Sequence, residues 1–264
     1  MTLVELCAGT AALSLRLHAR NARPPVARMG AKTGYADAIL ALAGLTPGQR
    51  ADRYVWAEAD PVARAVLAMY AGTEALEQAR HELAGWLSED PGALFARLKD
   101  AALSPASAAY LSQAAYRRGV PDSGYDDEVA RGRRSAVDVL LVTLQAWSRG
   151  HAPMAATIHP SAFDVPVTPG AVVYIDPPYV GTTGYGHALP RSDVVALARL
   201  HAAESLVMVS EAEPVAELVA DGWHAVDITS ARIGQRRTFS KQQAEWVTMS
   251  RAPVRVPSEQ PGLW

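Results

Sequence analysis

Ala171-Val172-Val173-Tyr174-Ile175-Asp176-Pro177-Pro178-Tyr179 is the stretch from which the fold is read. Five apolar residues stand in succession, three of them β-branched. A short apolar run that does not alternate fits a strand covered on both faces, as in a parallel sheet. The two prolines end it, because proline has no N–H for a ladder and holds the chain extended. A carboxylate, Asp176, is thereby placed at the carboxyl end of a buried strand. Ligands of open α/β sheets bind at such ends.

The same grammar continues on both sides. Upstream, Thr2 to Cys7 is a short apolar strand, Ala8-Gly9-Thr10 a small-residue turn and Ala11 to Arg20 a helix. Pro24-Pro25 breaks the chain before Met29-Gly30-Ala31-Lys32-Thr33-Gly34, and a second helix spans Tyr35 to Ala43. Tyr54 to Ala57 reads as a buried strand ending in Glu58, and Pro61 opens a helix from Val62 to Tyr70. Strands resume near 155–158. Downstream of Tyr179 come a Gly/Thr-rich loop (180–188), a helix (191–203), a strand (205–210) and a short helix (214–220). A strand (224–228), a polar loop (229–243) and a last strand (245–250) complete the series. Strands alternating with helices imply a mostly parallel sheet with crossover helices. The last two strands are close enough in sequence to pair antiparallel. Residues 71–150 are Ala-rich with helical periodicity and form an expected helical insertion, and 252–264 is a Pro-rich, irregular tail.

Composition sets outer bounds. The 264 residues are 49% hydrophobic and 20% charged, which suits a packed α/β domain and argues against global disorder. A formal net charge of −2 gives no global attraction to polyanions, so any nucleic-acid surface must be a local basic patch. A single cysteine, Cys7, excludes an internal disulfide and suits a reducing cytoplasm. The N-terminus lacks a basic region ahead of its apolar run, and no apolar stretch is long enough to span a membrane, so a cytoplasmic, membrane-free protein is expected.

Four segments carry candidate chemistry. In Asp176-Pro177-Pro178-Tyr179 the carboxylate and the Pro177 carbonyl are two acceptors suited to the two hydrogens of an exocyclic base amine. Such an amine is a poor nucleophile until its lone pair is drawn out of the ring. Tyr179 can stack on a base flipped out of a helix. A strand end with a plain turn has the same composition. Glu5-Leu6-Cys7-Ala8-Gly9-Thr10-Ala11 is a strand–turn–helix junction where backbone can approach a nucleotide-like ligand, and equally a simple βα turn. Glu58 can accept from both hydroxyls of a ribose, or simply favour the dipole of the helix behind it. Lys32 can meet a cofactor carboxylate or a phosphate; a solvated surface lysine is the commoner fate.

Together these segments resemble the amino-group-specific DNA methyltransferases, in particular the Dam-like adenine-N6 enzymes with a DPPY motif, including phage-borne and restriction-modification members. Asp176 to Tyr179 matches their catalytic tetrapeptide without substitution. Glu5 to Ala11 resembles their cofactor loop, Ala57 to Pro61 the strand end whose acid holds the cofactor ribose, and Met29 to Lys32 their Gly-Gly-Lys segment. Ser210-Glu211 is similar to the strand end after the catalytic loop, and Arg236-Arg237-Thr238 with Glu245 to their C-terminal basic loop and strand. The sequence departs in three respects. The Gly-Lys segment follows the cofactor loop instead of opening the chain, and Ala stands for Gly at 11 and 31. His159-Pro160-Ser161-Ala162 replaces an acid, leaving Ser161 or a backbone amide to face the cofactor adenine.

The resemblance implies a Rossmann-like, S-adenosylmethionine-dependent methyltransferase fold. Residues 1–70 and 151–251 would be the catalytic domain and 71–150 the insertion for target recognition. S-adenosylmethionine would lie against Glu5, Cys7, Ala8, Gly9, Thr10, Lys32, Glu58, Ser161 and Asp176, with Asp176, Pro177, Pro178 and Tyr179 catalytic. The expected activity is methylation of adenine N6 in double-stranded DNA. Cytosine-N4 methylation, a non-catalytic DNA-binding partner that keeps the fold, and methylation of RNA or of protein amides are the alternatives, and either a monomer or a homodimer is compatible.

Two basic stretches suit phosphates: 16–50, with six Lys/Arg against Asp37, and 229–251, with five against Glu245. Ordinary solvated surface is the alternative. Residues 71–150 carry nine Lys/Arg and eleven Asp/Glu, so only Arg117-Arg118 and Arg131, Arg133 and Arg134 stand out there. Arg28, Arg236 and Arg237 complete the candidate DNA contacts. Thr182, Thr183, Tyr185 and His187 in the loop after Tyr179 are candidates for the base pocket. The loop's glycines at 181, 184 and 186 suit closure on substrate or an ordinary surface loop.

Overall fold

A computed structural model describes residues 1–26, 31–114, 136–179, 189–233 and 244–256. Its centre is a seven-stranded sheet in the order β3-β2-β1-β4-β5-β7-β6. The strands are β1 (Thr2–Leu6), β2 (Arg53–Ala57), β3 (Thr157–His159), β4 (Val172–Ile175), β5 (Leu206–Glu211), β6 (His224–Asp227) and β7 (Trp246–Met249). β1 to β5 are parallel, while β7 runs antiparallel to both β5 and β6. This is the expected α/β, Rossmann-like architecture, and the late antiparallel pairing expected from the sequence is present. β1 lies between β2 and β4. The chain winds outward from β1 to β3 and then crosses back to β4, which makes the β1–β4 boundary the switch point where ligands bind in such sheets.

The pleat sorts side chains between two cores. Leu3, Tyr54, Trp56, Val172, Tyr174, Met208, Val247 and Met249 face one layer of helices. Val4, Leu6, Val55, Ala57, Val173, Ile175, Val207 and Val209 face the other. The first layer contains α1 (Ala12–His18), α2 (Ala36–Leu42), α3 (Pro61–Ala71), α4 (Thr73–Gly85), α5 (Pro91–Lys99), α6 (Pro105–Ala114) and α7 (Ala136–Gly150). The second contains α8 (Arg191–Ala202) and α9 (Ala216–Ala220).

Local sequence accounts for several of these helices. Asp60 caps α3, its carboxylate accepting from the Val62 amide at 2.8 Å with Pro61 in the first turn. Asp90 caps α5 in the same way, accepting from the Gly92 and Ala93 amides ahead of Pro91. α6 buries Ala106, Ser107, Ala108, Ala109, Tyr110, Leu111 and Ser112, so it is covered around its circumference, as a helix in the middle of a layer is. α7 buries Ala136, Val137, Leu140, Leu144 and Trp147 at helical spacing. Between 73 and 150 all elements among the described residues are helical, and they share one buried cluster with α1 to α3. Among the described residues no helix is long and apolar enough to cross a membrane.

Candidate active site

The carboxyl ends of β1, β2, β3 and β4 are joined beyond their strands by backbone bonds. The Ala8 amide donates to Ala57 O at 2.9 Å, Glu58 to His159 O at 3.0 Å and Asp176 to Leu6 O at 3.2 Å. These bonds bring the β1–α1 loop, Glu58 and Asp176 together at the switch point.

The loop is tightly wound. Cys7, Gly9 and Ala11 have φ of 60°, 53° and 49°, so two residues with side chains occupy the left-handed region that favours glycine. Ala11, which the sequence presents as a departure from glycine, thus keeps the conformation a glycine would adopt. Strain of this kind persists where the surroundings over-determine it, and it concentrates at ligand sites. Glu58 supplies part of that support. Its carboxylate accepts from the Gly9 amide at 2.7 Å and the Asp60 amide at 3.0 Å, while Arg64 donates to the Glu58 and Ala59 carbonyls. Thr10 is buried, and its Oγ1 has no hydrogen-bond partner among the described residues. It lines a small cavity with Gly9, Val26, Ala63, Val66 and Ser112. The Cys7 thiol is pushed up by burial, with Glu58 and Asp176 adding to the effect, so it is not a poised thiolate.

Glu5 behaves differently from its loop neighbours. It lies on the same face of β1 as Leu3, and it accepts from the Ser14 amide at 2.7 Å at the start of α1. The Trp56 indole donates to Ser14 Oγ at 2.9 Å. Ala11 provides no side-chain cap, so the Glu5 carboxylate serves the N-terminus of α1 from below. Burial pushes its pKa up to about 7. Ser161 accepts from the Phe163 amide at 3.2 Å and caps the 3-10 turn after β3. That turn leaves Phe163 58% exposed at the strand ends. Phe163 had a single signal in the sequence, an aromatic placed two residues beyond Ser161.

Asp176 meets Lys32. The ammonium lies 2.9 Å from Asp176 Oδ1, 3.8 Å from Glu245 Oε2 and 4.4 Å from the centroid of the Tyr179 ring. Lys32 is 8% exposed and therefore does not have the solvated surface position that is usual for a lysine. Its turn is fixed by the chain after β6: the Ile233 amide donates to Gly34 O at 2.9 Å, and a side chain at Gly34 would meet Ile233 O at 3.1 Å. Burial raises the pKa of Asp176, and the Lys32 ammonium opposes that rise.

Glu245, just ahead of β7, joins the cluster from 66 residues away, accepting the Tyr179 hydroxyl on Oε1. Burial pushes its pKa up to about 7, against the pull of Lys32. The sequence associated Glu245 only with a C-terminal strand. Its one signal was an acid placed directly before an apolar run.

The basic stretches carry less free charge than their composition suggests. Arg16 pairs with Asp37 through Nη2 at 2.6 Å, and Lys32 is committed to the buried cluster. Arg232 stands over the Tyr35 ring at 5.9 Å. The candidate DNA contacts Arg28, Arg117, Arg118, Arg131, Arg133, Arg134, Arg236 and Arg237 lie outside the described residues, as do Thr182, Thr183, Tyr185 and His187.

Comparison with protein-family models and with curated proteins gives no match. Among solved structures the chain is similar to the rRNA methyltransferase AviRa from Streptomyces viridochromogenes, with 16% identity and a TM-score of 0.30. The match covers 94% of this chain and 75% of that one.

Proposed function

We propose that the chain is an S-adenosylmethionine-dependent methyltransferase acting on the exocyclic amine of a nucleic-acid base, with adenine N6 in double-stranded DNA as the target. One observation carries this reading. The Lys32 nitrogen lies 2.9 Å from a carboxylate oxygen and 4.4 Å from the centre of an aromatic ring, on the tetrapeptide at the sheet's switch point. A nitrogen donor is thus held between an acceptor and a stacking face, the surroundings that a base amine requires.

The residues present fit the cofactor. The wound loop offers backbone close to Glu58, whose carboxylate sits where ribose hydroxyls could replace the Gly9 and Asp60 amides. The Thr10 hydroxyl, without a partner among the described residues, is a buried polar atom that a ligand could satisfy. Gly9, Thr10, Glu58, Ser161 and Phe163 would hold the cofactor, which when bound supplies an electrophilic methyl group. Asp176 and the Pro177 carbonyl accept the two amine hydrogens and leave the nitrogen lone pair directed at that carbon. Tyr179 bounds the base from one side. The insertion, residues 71–150, would read the target.

The test is nucleoside mass spectrometry of unmethylated DNA incubated with protein and methyl donor. N6-methyladenine is the expected product, and N4-methylcytosine would move the reading to the other base amine. Asp176→Ala should abolish transfer and leave cofactor binding, measured by calorimetry, intact. Full activity in that variant would remove Asp176 from the mechanism, and a wild-type chain that fails to bind the cofactor would favour a non-catalytic partner.

A further inference from the structure

The Glu245 carboxylate is set in place more firmly than a residue at the mouth of a strand needs to be. Its amide donates to Thr229 Oγ1 at 2.8 Å and its carbonyl accepts from the Ile228 amide at 2.9 Å, so both of its backbone polar groups are held by the segment after β6. Its side chain is almost fully buried. The Tyr174 hydroxyl donates to Ser210 Oγ at 2.7 Å, and the Ser210 hydroxyl helps to hold the Glu245 pKa down. From the opposite side Glu245 receives the Tyr179 hydroxyl, while its second oxygen faces the Lys32 ammonium at 3.8 Å. A buried carboxylate costs folding free energy unless its acceptor sites are used. Here Tyr179 donates to one oxygen and Lys32 faces the other, and both belong to the candidate active site.

Tyr179 follows two prolines that stiffen its backbone, but the ring itself can still rotate about its side-chain torsions. A bond at the para position removes that freedom. We propose that Glu245 is a positioning residue that anchors the Tyr179 ring as a preorganised face against which the target base is held. The inference rests on the methyltransferase reading of the same site and adds a residue to it. Glu245 never touches the reacting atoms; it acts through Tyr179. β7 delivers it because that strand runs antiparallel to β5 and so starts at the end of the sheet where the parallel strands finish.

The experiment compares wild type with Glu245→Gln, Glu245→Ala, Tyr179→Phe and the double variant Glu245→Ala/Tyr179→Phe. The readouts are kcat and KM for unmethylated DNA, and cofactor affinity by calorimetry. A hydrogen bond to a buried charged group is worth about tenfold or more in an equilibrium, so KM for DNA should rise about tenfold in Tyr179→Phe and in Glu245→Ala. Glu245→Gln, which can still accept the hydroxyl, should fall between them and wild type. The double variant should be no worse than the worse single one, because both changes break the same bond. Cofactor affinity should stay within about twofold of wild type, a split that simple loss of structure would not give.

Effects of Glu245→Ala and Tyr179→Phe that multiply in the double variant would overturn the proposal, as would a loss of cofactor affinity as large as the loss for DNA. Should Glu245→Ala not fold, Glu245→Gln and its double variant with Tyr179→Phe distinguish the same two outcomes. Failure of the function reading looks different: wild type itself transfers no methyl group, and both proposals then fall.

Discussion

Lys32→Met removes the ammonium from the candidate-site cluster and leaves Asp176 without its Lys32 ion pair. At the observed separation of 2.9 Å, Coulomb's law gives about 6 kcal/mol of attraction at an effective dielectric of 20 and about 1.4 kcal/mol in bulk water. The desolvation both groups undergo offsets much of that. Removing one partner of a buried pair costs about 3–5 kcal/mol. Lys32 and Asp176 retain 9% and 19% of their side-chain exposure, so a discounted figure of about 1–3 kcal/mol is expected near neutral pH. The pH dependence identifies the cause. Burial already raises the pKa of Asp176 and Lys32 opposes it, so the variant's carboxylate titrates at higher pH. At low pH the unpaired carboxylate takes a proton and the deficit shrinks; as pH rises and the proton is lost, the deficit grows. Urea unfolding of both proteins from pH 5 to 8 measures this directly. The gap in midpoint should widen with pH, and the acid limb of the methyl-transfer profile should move up in the variant. A gap that stays constant across that range, or a variant as stable as wild type at pH 8, would refute the pairing as the determinant of Asp176 ionisation.

Asp176→Ala should lower kcat by about a hundredfold or more, the loss seen when an oriented group in a preorganised site is removed, with cofactor affinity kept. Glu58→Gln should weaken cofactor binding about tenfold by calorimetry, since a charged acceptor at the wound loop is lost. Thr10→Val should stabilise the ligand-free protein by about 1 kcal/mol in thermal unfolding, because it replaces a buried hydroxyl that has no partner among the described residues by a group of the same shape. Glu5 and Glu245 have pKa values of about 7 in the fold against an ordinary 4.5. The folded state therefore holds protons that the unfolded chain has released, and stability should fall as pH rises from 4.5 to 7. The loss is about 3 kcal/mol per carboxylate, and unfolding of Glu5→Gln and Glu245→Gln should show a flatter slope.

The fold was legible wherever information was local. The apolar run at 171–175, Pro61 at a helix start and the alternation of strands with helices each act within a few residues, and the structure carries β4, α3 and the sheet accordingly. Glu5 shows information that was present but unread. It stands two residues from Leu3, and period-two alternation puts both on one face of β1, towards α1. The orientation of that carboxylate follows from spacing alone. Ala11 shows the reverse. Residue type argued against a left-handed turn, and the bonds that impose one, from Glu58 to Gly9 and from Ala57 to Ala8, come from β2 and its end.

The cluster around Asp176 could not have been read from any window of sequence, because its members arrive on four separate segments. Lys32 precedes α2, Asp176 and Tyr179 follow β4, Ser210 sits in β5, and Glu245 opens a strand that reverses direction. Sequence spacing sets none of the distances between them; the order and polarity of the strands do. A parallel β7 would start at the far end of the sheet and could not bring an acid to Tyr179. The antiparallel seventh strand therefore does more than close the edge of the sheet. It carries a carboxylate to the end where the parallel strands deliver Asp176 and Glu58, and the sheet's topology completes a site whose chemistry starts with four consecutive residues.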